Sequence, residues 1–129
     1  MWVDHMVINL WVAIHHLRRN PAQANWLSGA IALAIIGLSL SPLAQLPDVP
    51  GSDKTHHVIA YAVLAIPTAI AMPRKVWMIA LLYICLGGMI ELIQPYVNRY
   101  GEWLDFIANM TGVLIGSVFG LLADKFIKH

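Results

Sequence analysis

The chain has 129 residues, enough for one compact domain. Hydrophobic residues make up 59% of it and charged residues 12%, against roughly 25% charged in a soluble domain, so it has too few charges to cover a water-facing surface. A net charge of +1 suggests no nucleic-acid partner, and the single cysteine, Cys85, excludes an intramolecular disulfide.

Residues 1–20 come first and differ from the rest. Trp2, Val3, Met6, Val7, Leu10, Ile14 and Leu17 recur at steps of three and four, and His5, Asn9 and His16 share another face. The apolar stretch is too short to span, so an amphipathic helix lying in the cytoplasmic interface is expected, ending near Arg18-Arg19-Asn20-Pro21. No small-residue cleavage site stands in it, so a cleaved leader is not expected. The pair His15-His16 lacks an adjacent carboxylate and reads as facing headgroups or water rather than a metal.

Four apolar segments follow, at about residues 26–46, 55–72, 76–94 and 105–123, each close to the 20 or so residues that cross a hydrocarbon core. The spacers between them are short and hold Pro, Gly and charge, which predicts antiparallel neighbours. The expected fold is therefore all-α: a four-helix transmembrane bundle over 26–123, preceded by the interfacial helix 1–20 and followed by a cytoplasmic tail, 124–129. Pro67 inside the second span removes one backbone hydrogen bond, and Pro42 should disturb the end of the first. Cys85 sits deep in the third span and reads as packing.

Basic residues set the expected orientation. Arg18, Arg19, Arg74, Lys75, Lys125 and Lys128 fall on one side, and only Lys54 and Arg99 on the other. Cytoplasmic loops retain Lys and Arg, so both termini are expected inside. Trp26 and Trp77 fit an inner aromatic belt, and Tyr96, Tyr100 and Trp103 an outer one.

With the helices so oriented, the unusual polar residues collect at the outer level. Asp53, Lys54, His57 and Tyr61 share one face at the start of the second span. Glu91 and Gln94 close the third, Arg99 lies in the following loop, and Asp105 and Asn109 open the fourth. Glu91 stands about one helical turn inside the third span, where a bare carboxylate must find Lys54, His57, Arg99, water or a proton. Gly87 and Gly88 lie one turn below it, and Gly112, Gly116 and Gly120 form a stripe on the fourth span. Small residues of this kind allow close helix approach, and the third and fourth spans are expected to pack on each other.

Each polar residue also has a structural reading. Ser52 or Asp53 would cap the second span and Asp105 the fourth, Lys54 and Arg99 would anchor at the interface, and Glu91 would form a bridge. As a group they exceed what capping needs, and they point to an outward-facing polar pocket. In that pocket Lys54 and Arg99 would hold a phosphate or carboxylate of an envelope lipid or lipid-linked precursor, with Asp53, Tyr61, Gln94 and Asn109 lining it. A second reading is an acid/base enzyme using His57 and Glu91, with Asp105 beside them; no nucleophile motif accompanies it. A third is a small proton-coupled exporter. Asp53, His57, Glu91 and Asp105 could instead bind a divalent metal, a weaker reading; no cofactor or nucleic-acid partner is expected, and the sequence leaves oligomeric state open.

The same residues carry a family resemblance. Asp53-Lys54-x-x-His57-x-x-Ala60-Tyr61, Glu91-x-x-Gln94, Arg99, and Asp105-x-x-Ala108-Asn109-x-x-Gly112 together resemble the VanZ-like membrane protein family over about residues 30–122. The family is named for a protein associated with low-level teicoplanin resistance in bacteria. The resemblance implies four membrane helices and a place in the bacterial cytoplasmic membrane, and it supplies no reaction.

Overall fold

The structure, a computed structural model, describes residues 1–42 and 51–129. Among the described residues there is no strand, and five α-helices follow one another: α1 (Trp2–Arg19), α2 (Pro21–Leu40), α3 (Asp53–Ala71), α4 (Val76–Ile93) and α5 (Trp103–Ile127). Short 3-10 turns, Pro73–Lys75 and Gln94–Val97, stand before and after α4.

Three stretches are long and apolar enough to cross a membrane: Pro21–Leu40, Pro73–Val97 and Trp103–Ile127. Four were expected. The second span falls short because α3 opens on Asp53-Lys54-Thr55-His56-His57, which removes its first turn from the apolar count. Yet α3 is central. It packs on all four other helices and buries Tyr61, Leu64, Ala65, Pro67, Thr68, Ala69 and Ile70. A helix shielded by its neighbours needs less apolar surface of its own. The perimeter of α2, α4 and α5 is the reverse of a water-soluble surface: Leu33, Leu38, Leu81, Leu82, Leu114, Phe119 and Leu122 all point outward.

Helix ends follow local chemistry. Ser52 caps α3, its hydroxyl accepting from the Thr55 N–H at 3.2 Å. Helix α2 stops at Leu40, short of the predicted 46, because Ser41 precedes Pro42 and is driven to an extended conformation (φ −76°, ψ 142°); residues 43–46 lie outside the described residues. At the other end of α2, Asn20 has a non-helical conformation and separates it from α1, and Pro21 opens the new helix. Helix α3 continues through Pro67. Next to the carbonyl of Val63 that Pro67 leaves free, Ser28 of α2 donates to the Leu64 carbonyl at 2.9 Å. One turn further, Thr68 meets the hydroxyl of Tyr83 on α4 at 3.1 Å. These mid-helix polar contacts were not read from the sequence.

The glycine stripe has a different partner from the one expected. A Cβ on Gly112 would collide with the Val58 carbonyl and Tyr61, one on Gly116 with the backbone of Ala62, and one on Gly120 with Ala69 and Ile66. The stripe therefore seats α5 against α3, not against α4. Gly87 and Gly88 do face α5, meeting Asn109 and Phe106, and Gly87 also meets Tyr61. The reason lies on α5 itself: Asp105, Asn109, Gly112, Gly116 and Gly120 continue one face, and its polar end is drawn to Lys54 and His57 of α3.

The bundle has two distinct ends. At one, Lys54 reaches Asp105, and Arg99 and Gln94 reach the end of α2. At the other, Arg18, Ala71, Arg74, Lys75, Asp124 and Lys128 surround one cavity. The basic residues that the sequence sorted into two sides are thus sorted to the two ends of the bundle. Helix α1 forms as expected, but its last turns lean on α3 and α5, and Arg18 pairs with the buried Asp124 at 3.0 Å. His16 hydrogen-bonds to Gln23 of α2 and His15 stacks on Trp11.

Candidate functional site

The first end of the bundle is built around α3 and α5. Lys54 is on the first turn of α3, and its ammonium lies 2.5 Å from Asp105 Oδ1 and 2.6 Å from Glu102 Oε2. These two carboxylates, Asp105 foremost, hold the lysine above its ordinary pKa. Asp105 is not the cap of α5: it sits in the first turn, is buried, and takes the lysine as counter-ion. One turn along α3, His57 lies between two groups. Its Nδ1 is 2.7 Å from Asn109 Oδ1, and its Nε2 is 3.8 Å from carboxylate oxygens of both Asp53 and Asp105.

Asn109 is fully buried and fixes the direction of this chain. Its amide nitrogen donates to Glu91 Oε1 at 3.4 Å, so its oxygen is the group left to accept from His57. The imidazole proton is then on Nδ1, and Nε2 is the free ring nitrogen, turned toward Asp53 and Asp105. Glu91 is held from its other oxygen by the backbone N–H of Glu102 at 3.1 Å. That contact needs the loop to cross the end of α4 closely. Gly101 permits it, because a Cβ there would run into the Glu91 carbonyl.

Of the residues singled out in the sequence, Asp53, Lys54, His57, Glu91, Asp105 and Asn109 are brought together in this network. Gln94 and Arg99 are engaged elsewhere. Gln94 donates to the Ser39 carbonyl at 3.1 Å, and Arg99 to the carbonyls of Leu38 and Ser41 at 3.0 Å each. They satisfy the orphan carbonyls at the end of α2. Lys54 is thus paired with two carboxylates, whereas Arg99 is held by neutral carbonyls and has no carboxylate partner among the described residues. Tyr61 is buried between α3, α4 and α5, against Gly87 and Gly112.

Two residues of the site were missed. Glu102 pairs with Lys54 and positions Glu91, and Gly101 makes room for it. The available signal was position: Glu102 stands immediately before α5, three residues from Asp105 in the first turn.

A groove of about 390 Å³ opens beside the network between α2 and α3. Its walls are Ile35, Leu38, Ile59 and Ala60, and at its polar end stand Asp53, His56, His57 and Arg99. A second cavity, about 330 Å³, lies on the far side of the network between Gly88, Glu91, Glu102, Trp103 and Phe106. Oxygens of Asp53 and Asp105 and a ring nitrogen of His57 lie within 4.8 Å of one another, a donor set that suits a divalent cation. The Lys54 ammonium already stands at the same Asp105 carboxylate, so a metal there would compete with the protein's own cation. Among the described residues, four carboxylates stand around one lysine and one histidine in the network, and Arg99 adds an unpaired positive charge at the polar end of the groove.

Compared with known proteins, the chain matches no family model, no curated protein and no solved structure.

Proposed function

We propose that this protein is a four-span membrane protein of the bacterial envelope whose outward-facing groove binds, or binds and modifies, an amphiphilic lipid or lipid-linked precursor. The single observation that carries the reading is the groove between α2 and α3: apolar along its length and ended by the hydrogen-bonded His57 with Asp53 and Arg99 beside it. That is the shape of an acyl chain with a polar head. With Lys54 paired to Asp105 and Glu102, the headgroup it suits offers hydroxyls or an amine to Asp53 and His57.

The fourth span is supported by geometry. The starts of α2 and α4 and the end of α5 lie at one end of the bundle, so the chain between α2 and α4 must return along its length. Helix α3 makes that return, and 19 residues at 1.5 Å each give about 28 Å, close to a hydrocarbon core. The excess of Lys and Arg at the Arg74 end supports placing that end, and both termini, in the cytoplasm. The ordered motif that resembles the VanZ-like family supports the envelope setting, and any link to glycopeptide resistance rests on that resemblance alone.

A second reading, acid/base catalysis, is favoured by one observation. Asn109 fixes the His57 tautomer so that Nε2 faces the groove, able to take a proton from a bound hydroxyl.

The test is photo-crosslinking with a diazirine-tailed lipid carrying a glucosamine head, compared with the same tail on phosphocholine. Labelling of the Ile35–Leu38 and Ile59 peptides by the first probe, reduced by His57→Gln and blocked by Ile59→Trp, is the expected result. Labelling indifferent to headgroup and to both substitutions overturns the reading.

A further inference from the structure

The opposite end of the bundle carries a second site of contrary charge. Its cavity, about 400 Å³, is formed where the end of α1, the 3-10 turn before α4 and the end of α5 converge. Arg18, Arg74, Lys75 and Lys128 line it, with Asp124 as the one carboxylate: four positive charges against one negative leave a net charge of three. Asp124 is buried and is shared between Arg18 at 3.0 Å and Lys128 at 2.7 Å, which fixes those two cations in place. Arg74 and Lys75 are exposed and make no ion pair or side-chain hydrogen bond among the described residues.

The surroundings define what could bring negative charge there. Trp77, the second residue of α4 and two residues after Lys75, is exposed, as are Met78 and Leu81 beyond it. An aromatic ring at the rim with apolar side chains below it marks the level of lipid headgroups. The first turn of α4 contains no acidic residue and no side-chain cap, so its backbone donors add to the positive field. A basic pocket between spans at that depth is built for a phosphate that arrives on a lipid.

We propose that this cavity binds the phosphate of an anionic phospholipid headgroup from the leaflet at the Arg74 end. Arg74 and Lys75 hold the phosphate oxygens, and Arg18 and Lys128, oriented by Asp124, close the field around it. The bound headgroup then bridges α1, α4 and α5. The site is independent of the groove at the other end, and only its lipid source depends on the chain being in a membrane.

The experiment uses the full chain purified in neutral detergent micelles. Dioleoylphosphatidylglycerol, dioleoylphosphatidylcholine and inorganic phosphate are each titrated, with bound lipid read by native mass spectrometry and thermal midpoints read in parallel. Three proteins are compared: wild type, Arg74→Gln/Lys75→Gln, and Arg19→Gln/Lys125→Gln. The last removes the same charge from residues that do not line the cavity.

Expected is selective binding of phosphatidylglycerol by wild type and by the Arg19/Lys125 variant, weakened roughly ten- to thirty-fold in the Arg74/Lys75 variant. Equal loss in both double variants overturns the proposal, because net charge alone would then explain binding. Equal binding of phosphatidylcholine overturns it as well. Inorganic phosphate binding as well as the lipid overturns the lipid source and leaves a site for a soluble phosphate. Because groove labelling by the glucosamine lipid is read separately, failure here leaves the first reading standing, and the converse holds.

Discussion

His57 and Glu91, on different helices, are joined through a single buried amide: Asn109 accepts a hydrogen bond from the Nδ1–H of one and donates to the carboxylate of the other. The consequence is directional. An imidazole whose Nδ1–H is committed offers only Nε2 to the groove, and Glu91 is the group that keeps the amide from turning over. In protein labelled with ¹⁵N-histidine, His57 is therefore expected to be the Nδ1–H tautomer when neutral. Asn109→Leu removes both contacts and should lower stability by about 1–3 kcal/mol, because a buried donor and a buried acceptor lose their partners. A His57 resonance with the proton on Nε2 in the wild type would show that Asn109 is oriented the other way.

The lysine at the mouth of this network is shared unequally. Asp105 is buried and Glu102 is half exposed, though both lie within hydrogen-bond distance of Lys54. Glu102→Gln should therefore lower the thermal midpoint only slightly, and Lys54→Met more, since it leaves the Asp105 carboxylate without its close counter-ion. The raised pKa of Lys54 gives the sign of one pH effect. Its stabilising charge is fully present below the ordinary lysine value of 10.5 and is lost only as pH rises beyond that. Between pH 8 and 10, the stability difference between wild type and Lys54→Met should stay flat. A difference that collapses within that range would mean that Lys54 is not charged in the folded protein.

How much of this was legible beforehand depended on whether the signal was periodic or relational. The helices, their order and the polar end of the bundle follow from apolar run length and from residues spaced three and four apart. So did the gathering of Asp53, Lys54, His57, Glu91, Asp105 and Asn109, because each sits at a helix end that short links bring to one level. What periodicity cannot give is which face meets which neighbour. The Gly112–Gly116–Gly120 stripe was visible, but its partner is α3, a fact set by where Asp105 and Asn109 find Lys54 and His57. Arg99 and Gln94 looked like ligand groups because they are polar at a membrane boundary. The carbonyls they satisfy belong to α2, 55 or more residues away in sequence. Asp124 was passed over for the same reason, since its Arg18 partner lies at the far end of the chain.

The close approach of α5 to α3 makes a graded test of the packing. On Gly116 a Cβ would meet the Ala62 backbone, at 2.9 Å from its Cα, whereas on Gly29 of α2 it would meet nothing within 4 Å. Backbone cannot move aside as a side chain can, so Gly116→Ala should cost about 1–3 kcal/mol and Gly116→Leu should abolish folding of the bundle. Gly29→Ala should be neutral or stabilising by up to about 1 kcal/mol from helix propensity. Thermal unfolding in detergent distinguishes the two. Equal effects at both positions would mean that α5 does not seat on α3 through its glycines.

Whether α3 crosses with the others is decided by which ends share a compartment. In a Cys85→Ser background, a cysteine at Arg74 and one at Tyr96 report on opposite ends of α4, and both positions are exposed. Neither takes part in the hydrogen-bond network around Glu91, so that network is left intact, although the cysteine at 74 removes one cation of the basic cavity at the other end. With an impermeant maleimide on intact cells, the cysteine at 96 should react at once, and the one at 74 only after permeabilisation. A cysteine at Trp103, also exposed, should follow 96, and one at Lys128 should follow 74. The pairing matters more than the absolute side. If 74 and 128 agree with each other but react from outside, the bundle stands and its orientation is reversed. If 74 and 96 react alike, α4 does not cross, and the return of the chain along α3 cannot be a membrane span.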